Sequence, residues 1–370
     1  MATASRPLVM LAAGGTGGHL FPAEALAGVL AASGIEVDLV TDSRAARYAG
    51  HFPARALHVL PAETVRGRSP AALARTGFTL GHGFVKGYRL MRALRPAVVV
   101  GFGGYPTVPP ILAAHYAGFP TLIHEANAVM GRANTLLSAR VSAIASGYPD
   151  ICAGRPDLAA KARHTGNPVR PAVIAAAGVP FAPLEPGGPI ALVVVGGSQG
   201  ARVMSEVVPA GIERLDPALR ARLRLVQQAR AEDREAVRAT YARLGVSAQV
   251  EPFFADLPGL MARAHLVISR SGAMTVAELG VIGRPSILVP LPGALDQDQL
   301  ANATALAHAG GAVLMPQSHF TPDSFAALIS RLAGEPGRLE AMATAARAMG
   351  RADAAERLAA LVLIIGKIHV

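Results

Sequence analysis

Leu8-Val9-Met10-Leu11-Ala12-Ala13 runs directly into Gly14-Gly15-Thr16-Gly17-Gly18-His19. Six apolar residues that stop at a run of glycines read as a buried strand emptying into a tight turn, and residues 22–32 continue as a helix. A second strand is expected at 35–41. Others are expected at 97–101, ending in Gly103-Gly104-Tyr105-Pro106, and at 120–124, ending in Glu125-Ala126-Asn127. Short apolar runs without alternation are buried on both faces, so the first half reads as a parallel sheet covered by helices on each side.

The pattern then restarts. Residues 190–195 enter Gly196-Gly197-Ser198-Gln199-Gly200-Ala201, and 223–227, 266–269 and 286–290 read as further strands. A boundary after Gly166-Asn167-Pro168 gives domains 1–168 and 169–350. Residues 351–370 are expected as a helix that packs back on the first domain, the alternative being that it finishes the second. The fold class is α/β, two doubly wound, Rossmann-like domains facing a cleft.

The length of 370 residues suits two cores, and 51% hydrophobic against 16% charged residues excludes a disordered chain. The single cysteine, Cys152, excludes an internal disulfide and a cysteine metal cluster, and suits a reducing compartment. The N-terminal stretch has no secretory h-region, and the apolar run at 358–365 is far shorter than the roughly 20 residues that span a bilayer. Net charge is 35 − 25 = +10, which attracts polyanions. Nucleic acid is disfavoured, because tryptophan is absent, aromatics are 5% and no nucleic-acid motif occurs.

A glycine turn between strand and helix gathers backbone N–H groups and a positive helix end, which suits a phosphate; the alternative is a tight turn with no ligand. The dinucleotide fingerprint G-x-G-x-x-G fails at both turns, although Asp38 stands where its ribose-binding acid would, and no P-loop Gly-Lys-Ser/Thr follows either one. His19 closes the first turn, where an imidazole suits proton abstraction at neutral pH or simply caps the helix. The run His124-Glu125-Ala126-Asn127-Ala128-Val129-Met130-Gly131-Arg132-Ala133-Asn134 carries more hydrogen-bonding side chains than an N-cap requires. In Ser269-Arg270-Ser271-Gly272-Ala273-Met274-Thr275-Val276-Ala277-Glu278, the N–H groups of Ala273 to Thr275 suit a diphosphate, and Glu278 suits a ribose diol. Asp296, Gln297, Asp298 and Gln299 suit sugar hydroxyls. No third ligand accompanies the two aspartates, so no metal is expected.

In this order and at these separations, segments 14–19, 101–107, 124–134, 166–170, 196–202, 269–279 and 298–303 resemble the MurG family of N-acetylglucosaminyltransferases over nearly the full chain. The resemblance implies a GT-B fold and an inverting transfer from UDP-N-acetylglucosamine to the muramoyl 4-hydroxyl of lipid I, giving lipid II for peptidoglycan. No cofactor and no required metal are implied. His19 is the implied base, with Glu125 and His124 as alternatives. The implied donor site holds Thr16, Gly17, Gly18, Asn127, Arg170, Ser198, Phe254, Ala273, Met274, Thr275, Val276, Ala277, Glu278, Asp298 and Gln299. Some family members have Gln-Gln where Asp298-Gln299 stands here. Gly103, Gly104, Tyr105 and Asn134 are implied on the acceptor side. A lipid acceptor implies a peripheral protein at the cytoplasmic face of the cell membrane, near other cell-wall synthesis proteins. Arg66, Arg68, Arg75, Phe78, Leu80, Phe84, Val85, Lys86 and Arg89 read as a surface for anionic lipid, the alternative being an amphipathic helix packed on its own domain. Two other readings keep the fold: a glycosyltransferase for another lipid or natural-product acceptor, and a nucleotide-sugar sensor without turnover.

Overall fold

The computed structural model describes residues 6–14, 17–44, 52–62, 69–197, 200–293 and 296–369. The chain divides into two compact units, Met1–Arg170 with Ala352–Val370, and Pro171–Arg351. In the first unit the elements run β1 (Leu8–Ala12), α1 (Gly17–Ala32), β2 (Glu36–Thr41), β3 (Ala56–Val59), α2 (Pro70–Leu94), β4 (Val98–Gly101), α3 (Val108–Tyr116), β5 (Thr121–Glu125), α4 (Arg132–Ser138), β6 (Ala143–Ser146), α5 (Pro156–Ala159) and β7 (Ala162–His164). The second unit holds α6 (Pro171–Ala176), β8 (Ile190–Val195), α7 (Arg202–Glu213), α8 (Pro217–Ala221), β9 (Leu223–Gln228), α9 (Arg234–Arg243), β10 (Ser247–Glu251), α10 (Leu257–Ala262), β11 (Leu266–Ser269), α11 (Ala273–Ile282), β12 (Ser286–Leu288), α12 (Asp298–His308), β13 (Ala312–Leu314), α13 (Pro322–Gly334) and α14 (Pro336–Met349). The last helix, α15 (Ala354–Gly366), belongs to the first unit.

The described strands order β3-β2-β1-β4-β5-β6-β7 in one sheet and β10-β9-β8-β11-β12-β13 in the other. Every pairing among them is parallel. In both sheets the order reverses at the first strand, β1 or β8, so the loops leaving its carboxyl end border a topological switch point.

Alternation along the strands of the first unit feeds two separate cores. Val9, Leu11, Val37, Leu39, Val98 and Val100 face α1 and α15, meeting Leu26, Leu30, Leu358 and Val362. Met10, Ala12, Val99, Ile123 and Ile144 face the other way, onto Met91 of α2, Ile111 of α3 and Leu137 of α4. Burial on both sides is why these strands carry no polar face. Helix α1 begins at Gly17, five residues before the helix expected from the sequence, so the second half of the glycine run is the helix's own first turn. Strands β3, β6, β7, β10 and β13 went unread; β3, β7, β10 and β13 are sheet edges, and Leu57 and Val59 of β3 stand exposed.

Candidate active site

In the first unit the candidates gather where β1, β4 and β5 end. His19 Nδ1 lies 3.0 Å from the carbonyl oxygen of Gly14. A carbonyl only accepts, so Nδ1 carries the proton and Nε2 keeps its lone pair. Burial holds the His19 pKa below its ordinary value, opposed by the Gly14 bond and the Glu125 charge. The ring rests against the turn after β4: a Cβ at Gly104 would come within 3.2 Å of it, and one at Gly103 within 3.6 Å. Gly103 and Gly104 have positive φ, +86° and +75° respectively, so a side chain there is strained as well as crowded. Tyr105 is partly exposed and opens the short 3-10 turn Tyr105–Thr107, in which Thr107 Oγ1 donates to Gly104 O at 2.8 Å. A Cβ at Gly14 would meet Pro106 at 2.8 Å, so the first and second glycine turns touch only because residue 14 has no side chain.

Glu125 organises the loop after β5. Its Oε1 accepts from the backbone N–H and side-chain amide of Asn127, at 2.9 and 3.2 Å. Its Oε2 accepts from Gly131 N at 2.9 Å and Asn134 Nδ2 at 2.8 Å, and Asn134 Nδ2 also donates to His124 O. Four donors on one buried carboxylate occupy both of its oxygens and make it the hub of the loop. His124 is fully buried beside Phe102, with Nε2 donating to Gly166 O at 3.2 Å. Burial pulls its pKa down to about 4, so the ring is neutral at pH 7. Of the three candidate bases, His19 is the one residue that is partly exposed, His124 and Glu125 being buried. Asn167 Nδ2 donates to Ala126 O at 2.9 Å, and the Arg170 guanidinium stacks 4.3 Å from the centre of the Phe21 ring. Gly17 and Gly18 lie in the first turn of α1; Thr16 lies outside the described residues.

In the second unit, β11 leads through Ser269-Arg270-Ser271 to Gly272, which caps α11 without a side chain. This leaves the leading N–H groups of Ala273, Met274 and Thr275 at a bare helix end. Val276 is different: its N–H is bonded to Gly272 O at 3.0 Å and its side chain is buried, while Ala277 lies a turn inside. Glu278 is buried on the same helix. Asp298 and Gln299 open α12; Asp298 Oδ1 accepts from Gln299 N at 2.8 Å, and Gln299 Oε1 accepts from Leu291 N at 3.0 Å. Ser271 Oγ donates to Gln299 O and Asn302 Nδ2 to Ser271 O, so the loop after β11 is tied to the first turns of α12. Phe254 is partly exposed in the loop after β10, next to a largely exposed Phe253. In the glycine turn after β8, Gly196 N donates to Gln228 Oε1, and Gly197 and Gly200 have positive φ; Ser198 lies outside the described residues.

Sequence reading missed four residues that shape these loops. Arg270 is buried and donates to Val289 O, Pro290 O and Gln317 Oε1, holding the loop that leads to Asp298. Its place within the motif was a signal; nothing local pointed to Gln317. Phe21 and Asn167 were likewise unread. Among the described residues no group of three or more His, Cys, Asp or Glu is placed to hold a metal ion.

Seven of the nine residues of the candidate lipid surface lie on helix α2. Arg75, Phe78, Val85, Lys86 and Arg89 lie exposed on it, Phe78 at 76%. Phe84 instead packs inward against Tyr88 and Tyr116, Leu80 is half-buried, and Arg66 and Arg68 lie outside the described residues. No helix among the described residues is long and apolar enough to cross a membrane.

Residues 9–146 match the glycosyltransferase family 28 N-terminal domain, and 191–358 match the family's C-terminal domain. Two relatives are named UDP-N-acetylglucosamine–N-acetylmuramyl-(pentapeptide) pyrophosphoryl-undecaprenol N-acetylglucosamine transferase. The one from Rhodopseudomonas palustris (strain BisB5) is 62% identical over 98% of this chain and 99% of its own. The one from Nitrobacter winogradskyi is 61% identical over 98% of both. The crystal structure of Acinetobacter baumannii MurG matches with a TM-score of 0.80 and 30% identity, over 97% of this chain and 99% of that one. The two doubly wound domains are of the GT-B type, and the chain belongs to glycosyltransferase family 28.

Proposed function

We propose that this protein transfers N-acetylglucosamine from UDP-N-acetylglucosamine to the lipid-linked N-acetylmuramyl-pentapeptide, forming the disaccharide precursor of peptidoglycan. Identity above 60% along 98% of the chain to transferases of that name carries the reading. The muramoyl 4-hydroxyl gives its proton to His19 Nε2, the nitrogen left with a lone pair by the Gly14 bond, and its oxygen attacks the anomeric carbon. The anomeric C–O bond to UDP breaks with inversion, and the electron pair leaves on the diphosphate. The bare N-terminus of α11 and the guanidinium of Arg170 take that charge. In this reading Glu278 holds the ribose, the backbone near Phe254 the uracil, and Asp298 and Gln299 the sugar hydroxyls. Asn127 and Asn134 are held by Glu125 beside His19 for the donor and acceptor sugars, with Gly103, Gly104 and Tyr105 on the acceptor side.

The exposed cations and apolar side chains of α2 support peripheral docking on anionic lipid at the cytoplasmic face of the cell membrane, alongside other wall-synthesis proteins. Transfer of labelled N-acetylglucosamine to a short-chain lipid I analogue, with EDTA present, tests the reaction. Turnover establishes it and shows that no metal is obligatory. No transfer with or without added Mg²⁺, despite UDP-N-acetylglucosamine binding, would overturn the acceptor assignment. For docking, Lys86→Glu with Arg89→Glu is expected to abolish flotation with phosphatidylglycerol vesicles, and unchanged flotation contradicts it.

A further inference from the structure

The segment 166–170 closes the first unit and ends in Arg170, the cation assigned above to the donor diphosphate. It is latched at three points. His124 Nε2 donates to Gly166 O, Asn167 Nδ2 donates to Ala126 O, and the guanidinium of Arg170 lies 4.3 Å from the centre of the Phe21 ring. The first two contacts register the segment by its backbone and its asparagine; neither reaches the guanidinium, and Phe21 does.

The ring is available because α1 starts in glycine. A Cβ on Gly17 would lie 3.1 Å from two Phe21 ring atoms, so the side chain can fold back over the first turn of the helix. Phe21 is only partly buried, and its face meets a cation where a purely structural phenylalanine would meet apolar core. A guanidinium stacked on an aromatic face uses its own flat face for that contact, so the stacking fixes the plane in which its N–H donors point. An unstacked arginine side chain would have to lose its rotamer freedom each time a diphosphate bound.

We propose that Phe21 is a positioning residue for the transfer, aiming Arg170 at the donor diphosphate by cation–π stacking. This rests on the diphosphate role of Arg170. The test compares Phe21→Leu, Phe21→Tyr, Arg170→Met and the double variant Phe21→Leu/Arg170→Met in the full-length protein. The readouts are kcat, the KM for UDP-N-acetylglucosamine, and inhibition constants for UDP and for uridine. Phe21→Leu should raise the donor KM and the UDP inhibition constant by about 3- to 30-fold, the range of a cation–π contact, and leave uridine within about twofold. Phe21→Tyr should stay within about twofold of the parent, because it keeps the ring face. In the Arg170→Met background the leucine change should add less than about twofold. Equal losses in both backgrounds, equal weakening of UDP and uridine, or no rescue by tyrosine overturns the proposal. If Arg170→Met itself leaves UDP inhibition unchanged, the diphosphate reading of Arg170 fails first, and the positioning role falls with it.

Discussion

His19 owes its chemistry to a neighbour five residues back. Gly14 accepts its Nδ1 proton, which sets the tautomer, while burial lowers its pKa and Glu125 raises it. A base with a lowered pKa stays neutral further into acid, so the acid limb of kcat/KM should fall below the ordinary histidine value of about 6.5. His19→Ala should cost about 10²- to 10⁴-fold in kcat, measured by initial rates; near-parental turnover would remove it as the base. Glu125→Gln takes away the charge that raises the His19 pKa, so the ring's midpoint should move down, read by NMR titration of the imidazole. An upward shift would mean that the loop rearrangement, and not the charge, governs the ring. Glu125 itself shows how far the residue scale was legible. The polar richness of 124–134 is plain in the sequence. Convergence of Asn127, Gly131 and Asn134 on one carboxylate depends on how the loop closes, which no spacing rule supplies.

Helix α11 illustrates the element scale, since its two ends do opposite electrostatic work. Its N-terminus is capped by a glycine and left bare, while its C-terminus stops at Gly283 in the left-handed conformation, φ +68°. Arg284 follows, fully buried, and its guanidinium donates to carbonyls of Ala262, Ile282, Gly283, Val179 and Pro180. Ala262 ends α10 and Ile282 ends α11, so one cation serves the negative ends of two helices and pins the preceding linker. Burial, and then the charge of Arg347, pulls its pKa down to about 10, which still leaves it charged at pH 7. Arg284→Met should therefore cost about 3–5 kcal/mol, because it strips several buried carbonyls of their donor. Urea unfolding checks this, and a loss under about 1 kcal/mol would contradict it. Helix α13 offers a smaller case. Thr321 and Ser324 form a reciprocal capping box, and Thr321→Ala should lower stability by about 1 kcal/mol in the same assay.

For the whole molecule, the buried neutral His124 links stability to pH. Its folded pKa of about 4 lies below the value of about 6.5 for an exposed histidine, so between these two the unfolded chain binds the extra proton. Stability is thus fully present above about pH 6.5 and is lost as pH falls towards about 4, by roughly 3 kcal/mol from this residue. His124→Gln should flatten the fall in Tm between pH 7 and pH 4.5; an unchanged slope would place the acid sensitivity elsewhere. The same residue marks the limit of sequence reading. Two doubly wound domains were legible because a parallel sheet buries both faces of its strands, and that leaves apolar runs and glycine stops in consecutive residues. The edge strands β3, β7 and β10 escaped because polar residues interrupt them, and β13 because it is only three residues long. The sequence by itself determined the fold class, the glycine turns and the family, since these rest on local periodicity and ordered motifs. The tertiary structure decided that His124 reaches Gly166, Asn167 reaches Ala126, Arg270 reaches Gln317 and Arg170 lies on Phe21. Those partners stand tens to more than a hundred residues apart, and hydrogen bonding and stacking act over a few ångströms, so only the folded path of the chain brings them within reach.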